Sequence, residues 1–293
     1  MTEETTGSTV PRRQLGRFLT ELREEAGVTL DGAADLLQCS RQKVWRMEKG
    51  LVPMRAPDVT VLCDRYEAPE GVRAVLLGLA RETRSRGWWH AYGDAIPQWF
   101  SLYVSLEGAA SRIRQYDAEL INGLLQTREY ITALYQLNRP ETPEPERDRT
   151  IAVRMQRQQI LVRRLPAAPE VDVVLSEAVL RRPVPDRRVW LAQLAHLRDT
   201  ALLPNVRLRV LPSAAGPPLA AEAGTFTLLE FPKPGGIGRA EPTTVYSESI
   251  TGALYLDRPA EVATYERVWR GLEGTALDAE QSRSFIESML EEW

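Results

Sequence analysis

The sequence has 293 residues, 43% of them hydrophobic and 26% charged, a length that favours two domains and a composition that excludes wholesale disorder. Its net charge of −3 conceals an asymmetry, since residues 11–86 carry 14 basic against 11 acidic side chains and residues 87–293 carry 23 against 27. Two cysteines, Cys39 and Cys63, exclude a disulfide framework or a multi-cysteine zinc site, and no run approaches the roughly 20 apolar residues of a membrane helix. In chain order, residues 1–11 are Thr/Glu-rich and read as a disordered tail without the apolar core of a signal peptide. Leu15, Phe18, Leu19 and Leu22 then recur at helical spacing up to Gly27, which suits a left-handed C-terminal cap. Thr29 is suited to cap a second helix carrying Ala33, Leu36 and Leu37, and Ser40 a third, RQKVWRMEK, which stops at Gly50. Beyond Pro53 and Pro57, residues 58–68 and 70–85 are again helical, so 12–86 is expected to be a mainly α, five-helix domain.

From Gly87 the character changes. Residues 98–116 and 127–137 read as helices, 138–148 as a Pro/Glu-rich loop and 150–164 as an amphipathic helix. VDVVL, VRLRVL, TFTLLEF, TTVYS and ALYL are short β-branched or alternating runs that predict strands. A helix between the first two of them makes one βαβ unit possible, and helices over 259–273 and 278–291 follow the last. Residues 87–293 therefore read as an α+β domain, a small sheet flanked by helices, whose strand order the sequence does not dictate.

The short helix, tight turn and second helix within 29–49 have the dimensions of a helix-turn-helix. On a helical wheel Val44 and Met47 fall toward the preceding apolar helix, while Arg41, Gln42, Trp45, Arg46 and Lys49 share the opposite side. Arginine pairs bidentately with guanine and glutamine with adenine, so Arg41 and Gln42 are the first candidates for base contact, joined by Trp45 and Arg46. Trp45 could cover a thymine methyl or sugar edge, or pack on a neighbouring helix. Ser40, Lys43, Lys49 and Arg55 are candidates for phosphate contacts, which hold register without reading sequence; a solvated face is the plainer alternative for all of these groups. One such unit neutralises few phosphates, so a homodimer on double-stranded DNA is the physical expectation, with a nucleoid-associated cytoplasmic location.

The stretch LREEAGVTLDGAADLLQCSRQKVWRMEKG resembles the phage-repressor-like (XRE/Cro type) DNA-binding domain, over residues 15–67. The resemblance implies a structural ion pair between Arg23 and Glu48. It also implies a polar, phosphate-meeting residue where this sequence has Leu30. The stretch beginning GWWHAYGDAIPQWF, together with GTFTLLEFP and TTVYSESITGALYLD, resembles a domain of unknown function that follows this DNA-binding unit in actinobacterial regulators. That likeness implies a transcriptional regulator, including sporulation regulators of the WhiJ type, or an antitoxin-like protein holding a small acidic partner and autoregulating its operon. Asn122 stands before GLLQT where that family often has proline.

Trp88, Trp89, His90, Tyr92 and Trp99 crowd one segment, with Asp94, Phe100 and Tyr103 close by. Such crowding either seals a joint between domains or lines a pocket for an unidentified small molecule. Tyr116, Asp117, Glu119 and Arg128 could line the same cavity but read more simply as helix caps, and the doublets Arg181–Arg182 and Arg187–Arg188 as a solvated face that would also attract an acidic partner. Glycine-rich nucleotide loops, GxSxG and HExxH are missing and both cysteines look like packing residues, so neither an enzyme, nor a cofactor, nor a metal is expected.

Overall fold

The computed structural model describes residues 10–82, 98–232, 241–250 and 252–292. These fall into two compact units.

The first unit holds α1 (Val10–Glu25), α2 (Leu30–Leu36), α3 (Arg41–Glu48), α4 (Ala56–Arg65) and α5 (Glu70–Glu82). A sixth helix, α6 (Gln98–Ala109), joins them. Each short helix is bounded by the residue types its ends require. The Thr29 hydroxyl accepts from the Gly32 amide at 3.0 Å and the Ser40 hydroxyl from the Lys43 amide at 3.2 Å, satisfying otherwise orphaned first-turn donors. Gly27 and Gly50 terminate α1 and α3 at φ +64° and +66°, which an L side chain would resist. Leu15, Phe18, Leu19, Val28, Ala33, Val44, Met47, Val59, Leu62 and Leu76 form the core. Leu30 packs against that core, so the position that lacks a polar side chain contributes apolar area instead. Glu241 also belongs to this unit, and its buried carboxylate meets Arg13, at 3.3 Å, and Arg17 of α1.

The second unit is a six-stranded mixed sheet in the order β3-β2-β1-β4-β5-β6. Its strands are β1 (Arg112–Asp117), β2 (Glu170–Ser176), β3 (Val206–Leu211), β4 (Phe226–Glu230), β5 (Thr244–Ser249) and β6 (Gly252–Leu256). β1 pairs in parallel with β2, and β2 with β3; β1–β4, β4–β5 and β5–β6 are antiparallel. The first crossover carries α7 (Arg128–Asn138) and α8 (Glu144–Gln158), the second α9 (Glu177–Leu180) and α10 (Arg187–Thr200). α11 (Ala220–Ala223) precedes β4, and α12 (Pro259–Thr275) and α13 (Ala279–Glu292) follow β6.

All five expected strands form. The expected helix over 98–116 does not: it stops at Ala109, and RIRQYD becomes β1, the strand shared by the parallel and antiparallel halves. Its arginines give the stretch a polar look, but they are neutralised in place. Arg114 donates to Glu266 at 2.8 Å and lies 2.8 Å from Glu230, and Asp172 takes Arg112 at 2.7 Å and Arg207 at 3.2 Å. Trp269 of α12 lies under both Arg114 and Arg209, each 5.8 Å from its ring centroid. On the same sheet face, Tyr116, Val174, Leu211, Phe226, Leu228 and Val245 pack with Val268, Trp269 and Leu272. The helix expected over 150–164 begins earlier, at Glu144, inside the stretch expected to be a loop, because Pro145 suits a first helical turn. Asn122 takes over the turn that proline would start, its side-chain oxygen accepting from the Leu124 amide at 2.7 Å, and Thr127 caps α7.

Candidate nucleic-acid interface

α3 presents two chemically distinct sides. Val44 and Met47 are buried in the first unit's core, whereas Arg41, Gln42, Lys43 and Lys49 are exposed. Trp45 is 44% exposed, so part of its indole faces solvent. Arg46, the fourth candidate for base contact, is half-buried. The side of the helix that carries guanine- and adenine-matching groups is thus the open one.

The candidate backbone contacts differ among themselves. Ser40 is exposed but its hydroxyl is engaged in capping α3. Arg55 forms a fork to Asp58, with Nε and Nη2 each 3.0 Å from a carboxylate oxygen, and this pairing raises its pKa. A phosphate would have to displace Asp58 from that fork. Asp31, which sequence reasoning passed over, stands 3.7 Å from Arg41 Nη1, with both side chains exposed. Its position in the first turn of α2 was the available signal.

The scaffold behind α3 is fixed by the ion pair the resemblance implied. Arg23 Nε lies 2.6 Å from Glu48 Oε1 and Nη2 3.1 Å from Oε2, while Nη1 donates to the Val28 carbonyl at 2.9 Å. Hydrogen bonding to Glu48 holds the Arg23 guanidinium above its ordinary pKa, and burial raises the nearby Tyr66 phenol. Such a buried pair fixes where the end of α3 meets α1, and removing one partner would leave a charge without compensation. Gly16 completes that meeting, because a Cβ on it would lie 2.8 Å from the Met47 carbonyl oxygen and closer still to that of Glu48.

Residues 100–288 match the family model described as Domain of unknown function (DUF5753), and residues 14–76 match one described as Helix-turn-helix domain. The chain belongs to the DUF5753 family. In this DUF5753 protein the helix-turn-helix match spans the capped helices α2 and α3 and the core beneath them, and the protein is a DNA-binding regulator. No curated protein and no solved structure matches the chain. Among the described residues, no helix is long and apolar enough to cross a membrane and no group of three or more side chains could hold a metal ion.

Trp88, Trp89, His90 and Tyr92 lie outside the described residues, as does Asp94 and the side chain of Trp99. Tyr116 and Asp117 are not helix caps; they are buried on β1, and Asn122 and Thr127 do the capping nearby. Of the arginine doublets, Arg181 pairs with Glu177 at 2.5 Å and Arg182 with Glu119. Cys63 is buried, which pushes its thiol pKa up, as a packing residue requires and a nucleophile does not.

Proposed function

We propose that this protein is a sequence-specific transcriptional regulator, not an enzyme, that lays α3 in a DNA major groove as a homodimer. Arg41 and Gln42 read base edges with Trp45 and Arg46 beside them, while Ser40, Lys43 and Lys49 hold phosphates. Arg55 joins them once Asp58 is displaced. The observation that carries this reading is the division of α3, with Val44 and Met47 sealed in the core and Arg41 and Gln42 in the open. The DUF5753 portion receives the controlling signal, a small molecule or a partner protein, and acts by its differential affinity for two arrangements of the regulator. Control of a developmental programme such as sporulation is the role this reading favours.

The test is selection of bound DNA from a random pool, followed by gel shifts with Arg41→Ala/Gln42→Ala. The double variant is expected to lose its preference for the selected site, about 1–3 kcal/mol per lost bidentate contact, while keeping its circular dichroism. An unchanged ratio of specific to non-specific binding overturns the assignment. Isolation of the chain in stoichiometric complex with a small acidic protein would place it in the antitoxin-like class instead.

A further inference from the structure

Three arginines on the sheet are met by carboxylates: Arg112 lies 2.7 Å from Asp172, Arg114 2.8 Å from Glu230 and Arg209 3.3 Å from Glu273. Arg154 of α8 departs from this pattern. It is half-buried, yet among the described residues it has no carboxylate partner. Its one hydrogen bond runs from Nη1 to Gln126 Oε1 at 3.2 Å, which leaves the edge formed by Nε and Nη2 unused. Gln126 is buried and held in turn, its Nε2 donating to the Ile121 carbonyl and its own carbonyl accepting from Gln158 Nε2, each at 2.7 Å. Arg154 also lies 5.8 Å from the ring centroid of the buried Tyr135, and the exposed Arg139 lies 5.9 Å from the same centroid. Burial holds the Arg154 pKa below its ordinary value, and Arg157 and Arg139 add like charge. The opposite charge nearby is that of Glu248, which is bonded instead to Tyr246, whose hydroxyl donates to it at 2.7 Å.

Desolvating a guanidinium without a counter-ion is costly, and an arriving anion offsets that cost. We propose that the free edge of Arg154 takes the carboxylate or phosphate group of a small molecule, with Arg139 drawing it in from solvent, and that this anion is the signal the DUF5753 portion receives. Its role as signal rests on the regulator reading above; the site does not. Two N–H groups on one edge of a guanidinium match two oxygens of either group, so the contact is bidentate. A second guanidinium against the same ring strengthens the positive potential there and raises the local concentration of anions. The occupant is a small molecule rather than the face of an acidic protein, because Arg154 is recessed while Arg139 beside it is exposed.

The experiment is isothermal titration of the full chain with inorganic phosphate and, separately, with acetate, at constant ionic strength. At least one of them is expected to bind at a single site with a dissociation constant on the order of 1 mM, as suits so small a ligand. Arg154→Gln is expected to weaken that binding at least about tenfold with unchanged circular dichroism. Arg139→Ala, an exposed position, is expected to weaken it about threefold. Arg41→Ala/Gln42→Ala is expected to leave it intact, which separates the site from the DNA-facing side of α3. Binding of neither anion, binding that survives both Arg154→Gln and Arg139→Ala, or binding of a short poly-glutamate peptide alone overturns the proposal. Gel shifts with the bound anion, ionic strength held, then test the regulator reading: affinity for the selected DNA is expected to change about fivefold or more in the parent and not in Arg154→Gln. An anion that binds through Arg154 yet leaves DNA affinity unchanged overturns its role as signal, and the site stands.

Discussion

Asp117 ends β1 with its carboxyl buried, and burial pushes that group up to about 7 although the Gln115 amide, 2.8 Å from Oδ1, pulls the other way. The ordinary value is 3.8, so between the two the native chain holds a proton that the unfolded chain has released. The associated stability is present below the ordinary value and is lost as pH rises through about 7. Asp117→Asn keeps the shape and removes the titration. Denaturant unfolding at pH 5 and pH 8 should show the parent losing stability relative to the variant, by up to about 1.4 kcal/mol per pH unit between the two values. A parallel pH dependence of the two would disprove the assignment. The sequence could not show this, because an aspartate at 117 marks a helix cap or a buried strand end equally well until β1 is recognised.

Recognition of β1 failed for a reason that belongs to the element. Arg112, Arg114 and Asp117 spread polar groups through RIRQYD, and only the neighbouring elements β2, β4 and α12 reveal that Asp172, Glu230 and Glu266 compensate the arginines. The other five strands carry uninterrupted β-branched or alternating runs and were legible. So were α2 and α3, whose Thr29 and Ser40 caps and glycine stops are local chemistry. The seating of α1 on α3 was half legible: the resemblance implied Arg23 and Glu48, but nothing local marked Gly16. Alanine for glycine inside a helix normally adds up to about 1 kcal/mol. Gly16→Ala should reverse that sign, because backbone carbonyls of α3 occupy the space, and should cost about 1–3 kcal/mol. Gly78→Ala on α5, where nothing stands within 4 Å of the added methyl, is the control and should be neutral or stabilising in thermal melts.

For the molecule as a whole, a net charge of −3 coexists with a binding unit of net +3, so attraction to DNA is local and sensitive to salt. Lys43→Ala and Lys49→Ala should each lower the slope of log affinity against log salt by about 0.9, for every DNA sequence alike. Arg55→Ala should lower it less, since Asp58 already neutralises that cation; filter binding across a salt series measures all three. Base-reading candidates were legible because a helix wheel needs only the order of residues. Strand order was not, since pairing β1 with both β2 and β4 depends on contacts distant in the chain. The cover of the β3 edge, where the Val210 amide donates to Ser282 Oγ of α13 and its carbonyl accepts from the Leu277 amide just before that helix, has the same long-range character, with consequences in time. Val210 leaves the ribosome 72 residues before Ser282, a delay on the order of ten seconds during synthesis. Throughout that interval the β3 flank of the nascent sheet is unprotected, and a chaperone that shields extended segments would find its substrate there.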